Sequence, residues 1–269
     1  MSKYSVVWAA CLSASFAHSA ETLAASAKPS PQQEVGELRT EVQQIKAQQQ
    51  LILERLDEVR TLLKGNNGPP PVQPPATMSM AGAPFRGEAG ASVAIIEYGD
   101  FECPFCRRFQ HTTYPQIQEA YIKTGKLRYY YRDMPLPFHP QALPAARAAH
   151  CAGEQGKFWQ MHDSLFAEEG PLEVGGIDAR GTQLGLDVAK LKACVGSDRF
   201  ATVIQKGLDE AAQMQITGTP TFLVGTVDAK GNIVSIKKAI VGAQPFEAFK
   251  ATVDPLLVAV KADSSGGGN

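Results

Sequence analysis

The chain has 269 residues, 44% of them hydrophobic, enough length and apolar content for one large or two small folded domains. A formal net charge of −1 carries no basic excess of the kind that binds nucleic acid and no acidic excess of the kind that keeps a chain disordered, so no nucleic-acid partner is expected. Two Trp, seven Tyr and twelve Phe are ordinary globular usage.

The N-terminus reads as a secretory signal peptide. Lys3 supplies a positive start, residues 6–17 are apolar or small, and "AHSA" and "AASA" follow with small residues suited to cleavage. Residues 1–27 are assigned to it, with cleavage after Ala20 or after Ala27. The apolar run is shorter than the ~20 residues of a membrane span, although retention as a membrane anchor is the alternative. Cys11 lies inside the run, and "WAA" before it is a poor lipoprotein site, so Cys11 is expected to leave with the signal. Four cysteines then remain, Cys103, Cys106, Cys151 and Cys194, an even number in a chain that meets an oxidising compartment.

Residues 33–64 carry a heptad stripe: Val35, Leu38, Val42, Ile45, Gln49, Ile52, Leu56, Val59 and Leu63 alternate steps of three and four. The other positions are mostly Glu, Gln, Lys, Arg and Asp. A helix with this narrow stripe leaves it in water unless it packs on the chain's own globular domain or on another copy. The sustained 3.5-residue period favours a coiled coil over residues 35–63, hence a homo-oligomer. Val at a and Leu at d in the first heptad suit a dimer, while Leu at a with Ile or Val at d later on suits higher order; a dimer is favoured over a trimer. Residues 65–89, rich in Pro and Gly, are expected to be a semi-rigid linker to a globular domain spanning 90–262.

In that domain "SVAIIEYGD" (92–100) predicts a buried strand, and a helix is expected from the cysteine pair through residue 125. "KLRYYYRDM" (126–134) predicts a second strand, followed by a helical block over about 140–214. "TPTFLVG" (219–225) and "GNIVSIKKAIVG" (231–242) predict two strands joined by a tight turn, and 244–262 a closing helix with Pro255 late in it. Residues 263–269, "DSSGGGN", are expected to be disordered. The alternation implies an α/β fold, a small sheet with helices on both faces.

Cys103 and Cys106 enclose only Pro104 and Phe105. Structural zinc usually takes four ligands, and no second C-x-x-C is present, so no metal and no cofactor are expected. A disulfide closing so short a loop stabilises little. A redox role fits better. A strand leads into the pair and a helix follows, which puts Cys103 at a helix N-terminus where unpaired N–H groups favour an anion. Pro104 suits the first turn. Cys103 should then be the reactive sulfur and Cys106, one turn deeper, the resolving one. A bond between Cys151 and Cys194 encloses more than forty residues of the helical block and is expected as the structural disulfide; two buried thiols are the alternative.

"IIEYGDFECPFC", a following helix, and "TGTP" before a strand resemble the thioredoxin superfamily, in particular its periplasmic disulfide-bond branch, DsbA-like proteins with an inserted helical domain. The similarity covers roughly residues 85–262. It implies a thioredoxin fold, periplasmic thiol:disulfide interchange, and Cys103 and Cys106 as exposed nucleophile and buried partner. It also implies that Pro220, after Thr219, is the family's cis-proline beside the redox pair, where backbone pairs with a substrate strand. Glu97, six residues before Cys103, matches an acidic position beneath the site, where a raised pKa suits proton exchange with Cys106. A strand-end glutamate pointing to solvent is the alternative.

Phe105 stands where strongly oxidising DsbA has a histidine, which points to a less oxidising pair. Pro-aromatic between the cysteines, with Thr219 before the proline, resembles the oligomeric isomerase branch that includes DsbG- and DsbC-like proteins, although those have a different N-terminal domain. Trimeric, metal-resistance-linked DsbA-like proteins are a further resemblance. The implied partners are exported proteins with absent or wrong disulfides, and a DsbB- or DsbD-like membrane protein. A second class remains open: a coiled-coil chaperone or scaffold in which the redox pair is incidental.

Overall fold

A computed structural model describes residues 30–65, 71–167, 172 and 176–266. The expected signal peptide, 1–27, lies outside the described residues, as do 267–269 of the expected disordered tail. The chain divides into two units, Met1–Gly68 and Pro69–Asn269, and each is described by itself.

The first unit is one helix, α1 (Pro31–Gly65). Its start is a capping box: Ser30 Oγ accepts from Gln33 N–H at 3.4 Å while Gln33 Oε1 accepts from Ser30 N–H at 2.9 Å, with Pro31 in the first turn where its missing N–H costs nothing. Val35, Leu38, Val42, Ile45, Ile52, Leu56 and Val59 are all exposed. A single helix has nothing within its own unit to cover such a stripe.

The second unit is built on a six-stranded sheet in the order β1-β6-β5-β3-β4-β2. The strands are β1 (Thr77–Ser79), β2 (Phe85–Arg86), β3 (Val93–Gly99), β4 (Leu127–Asp133), β5 (Thr221–Val227) and β6 (Ile233–Val241). Only β3 and β4 run parallel; every other pairing is antiparallel. β3 is buried at every position, as its apolar run, interrupted only at Glu97, requires of a central strand. Its alternation sorts the core. Val93 and Ile95 face Phe109, Phe222, Phe249 and Val253, whereas Ala94, Ile96 and Tyr98 face Met78, Met80, Met214 and Leu223.

The helices are α2 (Pro104–Thr112), α3 (Tyr114–Ile117) with a π-helical turn over Gln118–Ile122, α4 (Ala142–Glu154), α5 (Phe158–Phe166), α6 (Gly176–Gln183), α7 (Val188–Val195), α8 (Ala201–Gln213) and α9 (Phe246–Gly266). Helices α4 to α8 form the block inserted between β4 and β5, so the fold is a thioredoxin fold with an inserted helical domain. Cys151 on α4 and Cys194 on α7 are joined by a disulfide across a sequence separation of 43. No helix among the described residues is long and apolar enough to cross a membrane.

Three expectations are corrected. The stretch 65–89 is not linker throughout. Thr77–Ser79 pairs with Ile233–Ser235 at one sheet edge, and Phe85–Arg86 pairs with Tyr129–Tyr130 at the other. An open edge offers unpaired N–H and C=O groups, and Met78 and Met80 bury into the adjacent core, so the chain is held there as a strap across the sheet. The helix after the cysteine pair is broken at Thr113–Pro115, because Pro115 cannot donate to the preceding turn. The closing helix α9 carries its backbone through Gly266, into the tail expected to be disordered.

Candidate functional site

The site sits where β3 hands over to α2. Cys103 is the N-cap of α2, with extended backbone (φ −68°, ψ 122°), and its carbonyl accepts from Arg107 N–H at 3.1 Å. Pro104 occupies the first turn. Cys106, one turn on, is fully buried. Both are free thiols, and Cys103, expected to be the exposed one, is also buried, at 3% exposure, because the Thr219–Pro220 backbone and the inserted helical block pack around it. Phe105 between them is 54% exposed, with the Arg108 guanidinium 5.2 Å from its ring centre. The Thr219–Pro220 peptide bond is cis. It brings the Thr219 carbonyl 3.4 Å from Cys103 Sγ, across 116 residues of sequence.

The two thiols are driven apart in acidity. Cys103 is pushed down to about 6, chiefly because the Cys106 thiol donates to its sulfur; burial works against this, and the Thr219 hydroxyl and the backbone N–H groups of Cys106 and Phe105 add to it. Cys106 is pushed well up, first by burial and then by its bond to Cys103 and the charge of Glu97. The Thr219 hydroxyl is buried and makes no hydrogen bond among the described residues, which leaves it free to turn to the sulfur.

Glu97 lies on β3, on the face that meets α2, and is fully buried rather than at a solvent-facing strand end. Its Oε2 accepts from the Tyr129 hydroxyl and from Gln110 Nε2 at 2.9 Å. Burial pushes its carboxyl up to about 8, against the pull of those two bonds, and the Cys103 thiolate pushes the same way as burial. At neutral pH it therefore holds a proton.

The sequence reasoning missed Gln110, Tyr129, Asp100 and His139. Gln110 had a signal: Cys103, Cys106 and Gln110 fall at i, i+3 and i+7, one face of α2, so an amide there faces the interior. Asp100 accepts from Glu102 N–H at 2.7 Å, a local turn that shapes the approach to Cys103. The Cys151–Cys194 disulfide belongs to the same apolar cluster as Cys103 and Cys106. Among the described residues no group of three His, Cys, Asp or Glu side chains is arranged to hold a metal ion.

A family model described as thioredoxin matches residues 79–253. The chain belongs to the thioredoxin family. Among similar proteins, a probable disulfide bond formation protein D of Bacillus anthracis is 30% identical over 162 residues, covering 57% of this chain and 75% of the relative. A Na(+)/H(+) antiporter NhaA 1 of Salinispora arenicola is 37% identical over 161 residues, 59% of this chain; the match spans only 24% of the antiporter. The thioredoxin fold is shared with alpha-DsbA1 of Wolbachia pipientis, whose crystal structure aligns with a TM-score of 0.60 at 23% identity, covering 68% of this chain and 94% of that one.

Proposed function

We propose that this thioredoxin-family chain is a thiol:disulfide interchange enzyme of the periplasm that forms and isomerises disulfides in exported proteins. The observation that carries the proposal is the opposed pair: a thiol held near 6 at the N-cap of α2, beside a cis-proline backbone, over a buried thiol held far higher. The Cys103 thiolate attacks a substrate disulfide; the substrate S–S bond breaks, a Cys103–substrate bond forms and one substrate thiolate leaves. Glu97 passes its own proton to water and takes the Cys106 proton in its place; the Cys106 thiolate then attacks Cys103 and releases the second substrate thiolate, leaving Cys103–Cys106 oxidised. Run in reverse, the same steps oxidise a substrate dithiol. Isomerisation uses only the first step and its reversal at another substrate sulfur, with no net electron transfer. Thr219 and Pro220 present backbone for a substrate strand, and Phe105 offers an apolar contact without a donor for the thiolate.

The N-terminal residues supply the rest. The signal peptide directs export, and α1 associates with another copy through its exposed stripe, so that two active sites face one substrate. A DsbB- or DsbD-like membrane protein resets the pair.

The test is refolding of scrambled ribonuclease. The full chain is expected to restore ribonuclease activity, and Cys103→Ala to lose that ability outright. If Cys103→Ala loses only redox turnover while still assisting folding, the chain is a chaperone or scaffold and the proposal fails.

A further inference from the structure

Asp100, three residues before Cys103, is a buried carboxylate that the exchange chemistry above does not use. Its Oδ1 accepts from Glu102 N–H at 2.7 Å. Its Oδ2 accepts from Leu136 N–H at 2.8 Å and lies 2.8 Å from His139 Nδ1. Next to it, Glu102 Oε2 accepts from Gln141 N–H at 2.7 Å. The run leading into the redox pair is thus fastened through two carboxylates to the proline-rich loop 135–141. The Asp100 peptide groups meanwhile bear on both cysteines: its carbonyl accepts from Cys103 N–H at 3.1 Å, and its N–H is a minor influence favouring the Cys106 thiolate against the burial that pushes that thiol up. Whatever holds the Asp100 side chain also holds those backbone groups. His139 is the only side chain that bonds to that carboxylate among the described hydrogen bonds; the other two donors are backbone.

We propose that His139 is a positioning residue for the closing half of exchange: by fixing Asp100 it keeps the Asp100 N–H on Cys106, so that Cys106 attacks Cys103 and frees the bound substrate. This rests on the exchange proposed above. In the step concerned, Glu97 first passes its own proton to water, its carboxylate then takes the Cys106 proton, and the Cys106 sulfur bonds to Cys103. The Cys103–substrate bond breaks, and the substrate sulfur leaves with the electron pair as a thiolate.

The two halves separate with 5,5′-dithiobis(2-nitrobenzoate), added to the full chain with Cys11→Ser so that the Cys103–Cys106 pair supplies the free thiols. Attack by Cys103 releases one coloured thiolate, and closure by Cys106 releases a second. In His139→Leu the first release should stay within about twofold and the second slow by roughly five- to tenfold, the loss of one hydrogen bond. His139→Asn, whose amide donates from nearly the position of Nδ1, should recover the second phase. Asp100→Asn keeps the acceptor for Glu102 and loses the one facing Leu136 and His139, so it should show the same split, and it carries the test if His139→Leu does not fold. An unchanged second phase in these variants, or both phases slowing together, overturns the proposal. Cys106→Ser separates the two claims: it must release one equivalent only, and if it releases two, the exchange scheme itself is wrong.

Discussion

Cys103 and Cys106 are the same residue type three positions apart, and their thiols are driven in opposite directions by what surrounds them. Cys103 gains donors from Cys106, Thr219 and the start of α2, whereas Cys106 loses water and gains none of comparable weight. Two predictions belong at this scale. The alkylation rate of reduced protein by iodoacetamide should climb through a midpoint near 6 and level off above it, because only the thiolate reacts. In Thr219→Val the hydroxyl donor is gone, so the midpoint should move up; an unmoved midpoint removes Thr219 from the account. Glu97 gives a stability signature. Its carboxyl ionises near 4.5 when unfolded and near 8 when folded, so between those values the native state binds the extra proton and stability falls as pH rises. By pH 7 the loss relative to acid conditions is about 3 kcal/mol. Glu97→Gln keeps an acceptor for Tyr129 and Gln110 and has nothing to ionise. Its urea midpoint should therefore gain on the parent's steadily from pH 4.5 to 8, and parallel curves would count against a protonated Glu97.

At the scale of elements, the inserted helical block is held to itself by one covalent link and by small side chains. Ala145, Ala146, Ala149 and Ala152 on α4 are buried against Leu165, Phe166 and Leu191, and their size lets the helices approach closely. The Cys151–Cys194 bond closes a loop of 43 residues, and loop-closure entropy puts its removal at about 4 kcal/mol. A Cys151→Ala/Cys194→Ala protein should show that loss in urea unfolding. Because the block shares its cluster with Cys103 and Cys106, alkylation of Cys106 should also become faster. The strap formed by β1 and β2 shows how much of an element's identity is tertiary. Thr77–Ser79 is three residues long, and only the unpaired edge of β6 makes it a strand.

At the scale of the whole molecule, the second unit and α1 solve different problems. The sheet and helices of the second unit bury their own apolar faces, while α1 leaves a stripe of Val, Leu and Ile exposed. Replacing Ile45 and Ile52 by Glu puts charges at two stripe positions without touching the second unit. Light scattering should then give a monomer, with isomerisation of scrambled ribonuclease reduced while reduction of a small disulfide is kept. If isomerisation is unchanged in a proven monomer, oligomerisation does not set the direction of the chemistry.

The sequence alone was enough to place Cys103 and Cys106 at a strand-to-helix junction and to outline the sheet. Strand β3 followed by Cys103, Pro104 and Cys106 is a local arrangement: an apolar run, a cap and a first turn, each decided within a few residues. The four long strands were legible for the same reason, as apolar or aromatic runs between turn residues. Tertiary structure alone decided what each site residue meets. Thr219 reaches Cys103 across 116 residues, Tyr129 reaches Glu97 across 32, and His139 reaches Asp100 across 39. Periodicity and capping act over a turn or two of chain, whereas a thiol's acidity and a buried carboxyl's proton depend on burial and on donors that only the folded sheet and its inserted helices bring together.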